Sequence, residues 1–157
     1  MKTIPLTQGK VAIVDNEDWE KLLQCKWYVI EGKTKWYAMR RSSDNGKRRT
    51  IYMHREILKP PSRMDTDHIN GDGLDNRRSN LRIATRAQNK QNARSQRGST
   101  SKYKGVCWNR NATKWQAQIC VDIKHIYLGL FDNEEEAARA YDKRARELFR
   151  EFALTNF

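Results

Sequence analysis

Residues 65–89 read DTDHINGDGLDNRRSNLRIATRAQN, and the reading of this stretch decides what the chain can fold into. TDHI and NLRIA are short β-like segments. Between them runs NGDGLDNRRS, rich in the Asn, Asp and Gly that build turns. Thr85 then stands where it can cap a short helix, RAQNKQN, that carries Asn89 on its first turns. The expected unit is a β-loop-β-α hairpin folded around Asp67, His68, Asn80 and Asn89.

Those residue types suit phosphodiester hydrolysis. The reaction needs a base to deprotonate water and a cation to stabilise charge on the phosphate and the departing oxygen. A neutral His serves as base near neutral pH. A carboxylate and an amide carbonyl are hard oxygen ligands for Mg²⁺, an ion often held by one or two protein groups plus the substrate phosphate; Asp67 and Asn89 supply them. A lone Asp-His pair in a turn reads more simply as surface polarity. Four spaced polar positions in a basic chain favour the site. Asn92 is a rival ligand, and Asp72, Asp75 and Asn76 are rivals within the loop, read here as loop-structural. His54, in YMHRE, has no such set of partners: lining the cleft, contacting phosphate and a structural role all stay open.

The pattern D-H-x-x-G from Asp67 to Gly71, then D-N-R-x-x-N-L from Asp75 to Leu81, then Asn89, closely resembles the HNH endonuclease family, in particular its phage-type homing enzymes. Twelve positions separate His68 from Asn80 and nine separate Asn80 from Asn89. The resemblance covers about residues 50–95. It implies that His68 is the general base, that Asn80 pins the loop and helps orient the imidazole, and that Asp67 and Asn89 bind a divalent metal, Mg²⁺ with Mn²⁺ as a substitute. Asn89 stands where the family name implies a His, a variant of the phage-type branch.

The rest of the chain fits a partner made of phosphates. With 31 Lys and Arg against 19 Asp and Glu in 157 residues, the net charge is +12 and the isoelectric point about 9.8. Such a molecule attracts a polyanion through long-range fields and counterion release, so nucleic acid is the expected partner, and the resemblance implies double-stranded DNA. No apolar run approaches the roughly 18 residues of a spanning helix, and no protein partner is implied; monomer and dimer remain equally open. Cys25, Cys107 and Cys120 are odd in number and lack C-x-x-C spacing, against a disulfide framework or a zinc site. The N-terminal MKTIPLTQGKVAIVD places Pro5 and Gly9 where a signal peptide needs an apolar core. A cytoplasmic protein of a bacterium or phage-infected cell is expected.

Upstream of the site, KVAIVD, KWYVI, KWYAMRR and RTIYMHREIL read as β-like runs between turn signals. NEDWEKLLQC reads as a helix capped by Asp15 or Asn16, with Trp19, Leu22 and Leu23 as its buried stripe. Downstream, KQNARSQRGSTSK has the composition of a linker, and its Arg94 and Arg97 are expected to meet DNA phosphates. KYKGVCWN, KWQAQICV and HIYLGLF then predict three strands, followed by a helix from about Asn133 to Phe152. Asp132 with Glu135 has capping-box spacing, and Ala138, Tyr141, Ala145, Leu148 and Phe152 recur at helical intervals.

In KWQAQICV, Trp115, Ala117, Ile119 and Val121 alternate with Gln116, Gln118 and Cys120; in HIYLGLF, Ile126 and Leu128 alternate with His125 and Tyr127. The apolar faces should meet the helix, leaving a polar sheet face able to reach base edges and phosphates. From about Tyr103 to Phe157 the segments YKGV, KWQAQI, YLGLF, EEAARAYD and the closing NF resemble the Apetala-2 or ethylene-response-factor DNA-binding domain of plants. By position in that family, Lys104, Asn109, Lys114, Gln118, His125 and Tyr127 are its contact residues. Trp108, Arg110 and Gln116 are added to the expected DNA-binding set, whereas Trp115 and Phe131 read as core. Cys107 and Cys120 stand where plant members often carry Arg, so base preference is not carried over.

The expected fold is therefore α+β. Residues 1–95 form a β-rich N-terminal region leading into a ββα-metal nuclease unit with its catalytic core at about 50–95. Residues 96–102 form a linker, and residues 103–157 a three-stranded antiparallel sheet packed on one helix. The expected function is a metal-dependent homing or nicking endonuclease. A catalytically inactive DNA-binding regulator is the alternative, disfavoured because a pure binder needs no intact Asp67, His68 and Asn89 set. RNA binding is weaker still, since the sheet lacks the stacked aromatics of common RNA modules.

Overall fold

KVAIVD pairs with a strand that its own sequence conceals. Lys2–Pro5 (β1) runs antiparallel to Val11–Val14 (β2), with Thr3 opposite Ile13. Four residues ending in proline carry little periodic signal, yet Ile4, Ala12 and Val14 are all buried. The computed structural model describes residues 1–32, 35–44, 46–92, 98–122 and 124–157. It divides into two compact units, Met1–Arg86 and Ala87–Phe157. Both are mixtures of small antiparallel sheets and short helices, an α+β architecture.

In the first unit Asn16–Leu23 (α1) follows Asp15, with Glu17 and Asp18 in its first turn where they favour the helix dipole. Its inward face differs from the expected stripe. Leu22 is buried, but Leu23 is exposed, and Asp18, one turn before Leu22, turns inward to bind Arg78. Tyr28–Glu31 (β3), Trp36–Asp44 (β4) and Lys47–Tyr52 (β5) form an antiparallel meander in that order.

The expected strand RTIYMHREIL stops at Tyr52, and Met53–Leu58 is a helix (α2). Met53 and Ile57, four residues apart, bury one helical face. Glu56 is held by Lys21 and Arg40. Lys59 closes the helix in the left-handed region, at φ 46°, and Pro60 and Pro61 prevent its continuation.

Asp65–His68 (β6) and Leu81–Ala84 (β7) then pair antiparallel, with Asp67 opposite Arg82 and His68 opposite Leu81. The loop between them is fastened to β2: Ile13 N donates to the Leu74 carbonyl at 2.9 Å, and Asn76 N donates to the Ile13 carbonyl at 2.8 Å. One apolar core contains Ile4, Ala12, Val14, Leu22, Trp27, Ala38, Met53, Ile57 and Leu81, with Leu74 packed against it. The N-terminal strands and the hairpin are thus parts of one body. Gly73 marks a close approach, since a Cβ there would run into the Trp36 carbonyl and the Tyr37 ring.

The second unit opens with Arg86–Gln91 (α3), a helix that straddles the division. Val106–Asn109 (β8), Lys114–Val121 (β9) and Lys124–Phe131 (β10) form an antiparallel sheet with β9 in the middle. Glu134–Phe149 (α4) packs on it through Ala137, Ala138 and Tyr141. Small residues at Ala117, Ala137 and Ala138 let helix and sheet approach closely.

Two sequence expectations are corrected in this unit. The α4 cap is Asn133, whose side chain accepts from the backbone N–H of Glu135 and Glu136; Asp132 instead pairs with Lys114. Phe149, rather than the 37% exposed Leu148, continues the buried stripe after Ala145. Phe131 packs on the core beside Leu128, as expected; a bulge between Tyr127 and Gly129 shifts the alternation of β10 and leaves Leu130 exposed.

Candidate functional site

His68 ends β6 and is only 1% exposed. Its Nε2 lies 3.3 Å from Asn76 Oδ1. The Asn76 amide cannot rotate freely, because its Nδ2 donates to the Leu74 carbonyl at 3.1 Å. Asn76 therefore presents its oxygen, Nε2 carries the imidazole proton, and Nδ1 is the basic nitrogen. Burial lowers the His68 pKa, and Lys35 adds to this; the Asn76 bond and the charges of Asp67 and Asp72 oppose it. The net result is an imidazole below its ordinary value, neutral near pH 7 and able to accept a proton.

Asp67, its neighbour in β6, is also buried. Arg82, opposite it in the register, donates from Nε at 2.9 Å and from Nη2 at 2.8 Å to Oδ2. A buried carboxylate is costly unless paired. Arg82 offsets that cost and fixes the direction of Asp67. Spacing arguments missed Arg82, although its position opposite Asp67 follows from the register of the two strands.

Asn80 ties the loop into a closed shape. Its Nδ2 donates to the Asp75 carbonyl at 2.8 Å and to Asn70 Oδ1 at 3.0 Å, and its Oδ1 accepts from Asn70 N at 3.0 Å. Asp75 is buried and accepts from Arg77 Nε at 2.7 Å and Nη2 at 2.6 Å, and from Asn70 Nδ2 at 3.0 Å. The Arg77 bonds hold its carboxyl below the usual range, against the opposing effect of burial. Asp72 Oδ1 accepts from Leu74 N at 2.9 Å, a local turn bond. Arg78 joins the loop to α1 through a two-pronged contact with Asp18, 2.8 Å on each oxygen. Of the three loop residues read as structural, Asp72 and Asp75 shape the loop, whereas Asn76 touches the imidazole. One Asn in an Asn-rich loop carries no sequence signal for that difference.

The donors in the first unit suit a hard cation that keeps most of its waters. Among the described residues no group of three or more His, Cys, Asp and Glu could hold a metal. The Asp67 carboxylate is a hard oxygen ligand of the kind that suits a divalent cation. Asn89 lies half-buried on α3, within the second unit. The rival Asn92 is buried one turn later, with its backbone N–H bonded to Gln88.

In the second unit, register and alternation place Asn109, Lys114, Gln116, Gln118, His125 and Tyr127 on one face. Asn109 Nδ2 donates to Gln116 Oε1 at 2.9 Å, and Gln116 Nε2 to Gln118 Oε1 at 3.4 Å, a connected polar row. His125 is exposed, Tyr127 is 58% exposed and Arg110 is exposed in the turn after β8. Trp108 lies on the opposite face with Val106 and Trp115, meeting Trp115 edge to face at 5.0 Å and remaining 39% exposed. The Lys104 ammonium donates to the Gln91 carbonyl, and burial lowers its pKa to about 8. Arg94 and Arg97 lie outside the described residues.

The HNH endonuclease family model matches residues 59–91, and the AP2 domain model matches residues 101–151. An uncharacterized HNH endonuclease of Acanthamoeba polyphaga mimivirus is 35% identical over 159 residues, covering 95% of this chain and 76% of the viral protein. An AP2/ERF and B3 domain-containing transcription factor of Arabidopsis thaliana is 42% identical over 71 residues, 45% of this chain and 20% of the plant protein. An APETALA2-like protein of Oryza sativa subsp. indica is 48% identical over 63 residues, 39% of this chain and 14% of that protein. The chain spans a fifth or less of either plant factor.

Proposed function

The chain belongs to the HNH endonuclease family and carries an AP2 domain at residues 101–151, and from that premise we propose that it is a site-specific, divalent-metal-dependent DNA endonuclease. The observation that carries the proposal is the buried Asp67-His68 pair, with the imidazole turned by Asn76 so that Nδ1 is its basic atom. His68 takes the proton of the attacking water at Nδ1. Arg82 pairs with Asp67 and keeps it aimed. Asp67 and, by its place in the family pattern, Asn89 hold the divalent cation, Mg²⁺ with Mn²⁺ as a substitute. When bound, the cation supplies charge stabilisation to the phosphate and the leaving oxygen. Asn80 acts on the loop and, through it, on Asn76 and the base.

On this reading β6, β7 and α3 are the parts of a ββα-metal unit within a nuclease region of residues 1–95. Residues 96–102 link it to a DNA-reading module of residues 103–157. The polar sheet face of that module supplies site preference, with Gln118, His125 and Tyr127 at its centre and Asn109, Arg110, Lys114 and Gln116 beside them. Trp108 and Lys104 contribute through packing and the local fold.

Supercoiled plasmid incubated with the protein and Mg²⁺ or Mn²⁺ should give nicked or linear product that chelator abolishes. Asp67→Ala should lose cleavage together with metal affinity, whereas His68→Ala should lose cleavage alone. Tight DNA binding without cleavage under either metal would favour a regulator instead. Equal metal binding in both variants would remove Asp67 as a ligand.

A further inference from the structure

Three rings from three different elements cluster beside the candidate base, two of them in contact with it. His54, second residue of α2, meets His68 perpendicularly, with centroids 5.0 Å apart at 82°. Tyr52, the last residue of β5, stacks on His54 at 5.4 Å and 21°. Tyr37, from β4, contacts His54 at 5.7 Å and His68 at 6.0 Å. Gly73 lets the loop lie against Tyr37, so the cluster is braced from outside.

His54 is more than nine-tenths buried, and its Nδ1 has no hydrogen-bond partner among the described residues. A wall needed only for packing is better made of Phe, which leaves no buried nitrogen bare. A buried N–H without a partner is rarer than a bare acceptor, so the favoured tautomer leaves Nδ1 unprotonated and places the proton on Nε2. Burial first, then His68, Arg55 and Lys35, lowers the His54 pKa to about 3. The ring is neutral at working pH and adds no cation to the neighbourhood of His68.

We propose that His54 is a second substrate-contacting residue of the nuclease site, donating its imidazole N–H to an oxygen of the phosphodiester that His68 prepares for attack. A centroid separation of 5.0 Å puts both rings within reach of a single phosphate group. Tyr52 and Tyr37 hold the donor in one plane, so little reorganisation accompanies charge development on the phosphate. The proposal rests on reading His68 as the general base.

The test compares wild type, His68→Ala, His54→Phe and His54→Gln in single-turnover plasmid cleavage. In parallel, imidazole ¹⁵N shifts are followed during titration with a DNA duplex in chelator. His54→Phe should keep or raise thermal stability yet cleave roughly 100-fold slower, with DNA affinity nearly unchanged. His54→Gln, which retains an N–H donor, should recover part of the rate. The His54 nitrogen should shift when duplex is added without metal. A folded His54→Phe that cleaves at the wild-type rate would overturn the proposal, as would a His54 signal indifferent to duplex. If wild type and His68→Ala cleave equally, the reading of the base fails instead, and the titration still decides the role of His54.

Discussion

At the scale of single residues, the neutral rings at the site tie its chemistry to stability. An unfolded His takes a proton near pH 6.5, whereas folded His54 takes one only at about 3. The unfolded state therefore binds more protons below pH 6.5, and stability falls as pH drops from there towards 3. His68, lowered by the same burial, acts in the same direction. Tyr37, Tyr52, His68, Arg55 and Lys35 are the titratable or charged groups around His54. His54→Phe should flatten this acid limb, read as the loss of urea midpoint between about pH 7 and about pH 4.5; an equal loss in wild type and variant would contradict it. Asn76→Ala should free the tautomer of His68 and slow cleavage by about 10-fold or more, at a stability cost of about 1–3 kcal/mol. Unaltered cleavage would remove Asn76 from the site. Asp67, His68, Asn80 and Asn89 could be proposed from the sequence because their spacing is local and their chemistry specific. Arg82, Tyr37 and the role of Asn76 were not, because each depends on strand register or on a fold contact.

At the scale of elements, short segments are ruled by what surrounds them. Met53–Leu58 is helical because Met53 and Ile57 share a buried face and Glu56 finds two cations, none of which shows in six residues of mixed propensity. The alternation of β9 and the helical period of α4 were long enough to read directly. The β10 bulge was not, since Gly129 matters only once its partner strand is known. The chain end is likewise fixed by a tertiary contact. Buried Asp142 on α4 accepts from Asn156 N at 2.8 Å, from Asn156 Nδ2 at 2.9 Å and from Phe157 N at 2.9 Å. Asp142→Ala strands these donors and should cost about 3 kcal/mol or more. Because the two units have separate cores, the loss should appear as early melting of the second unit while the first holds. A single, unshifted transition would contradict that.

At the scale of the whole molecule, a net charge of +12 attracts any DNA, and the proposed function assigns the cleaving base and the site preference to different units. Changing Gln118, His125 and Tyr127 together to Ala should reduce discrimination between sites by about 10-fold or more and leave the nicking rate on bound DNA intact. An unchanged site preference would move recognition to the first unit. The family match over residues 59–91 and the AP2 match over residues 101–151 fit this division of labour. No helix among the described residues is long and apolar enough to cross a membrane. The central claim is that His68 is the base of a nuclease, and single-turnover cleavage of supercoiled plasmid with Mg²⁺, measured beside DNA affinity for wild type and His68→Ala, tests it most directly. The account predicts cleavage slowed by roughly 100-fold or more with affinity nearly unchanged; a His68→Ala protein cutting at the wild-type rate would contradict it.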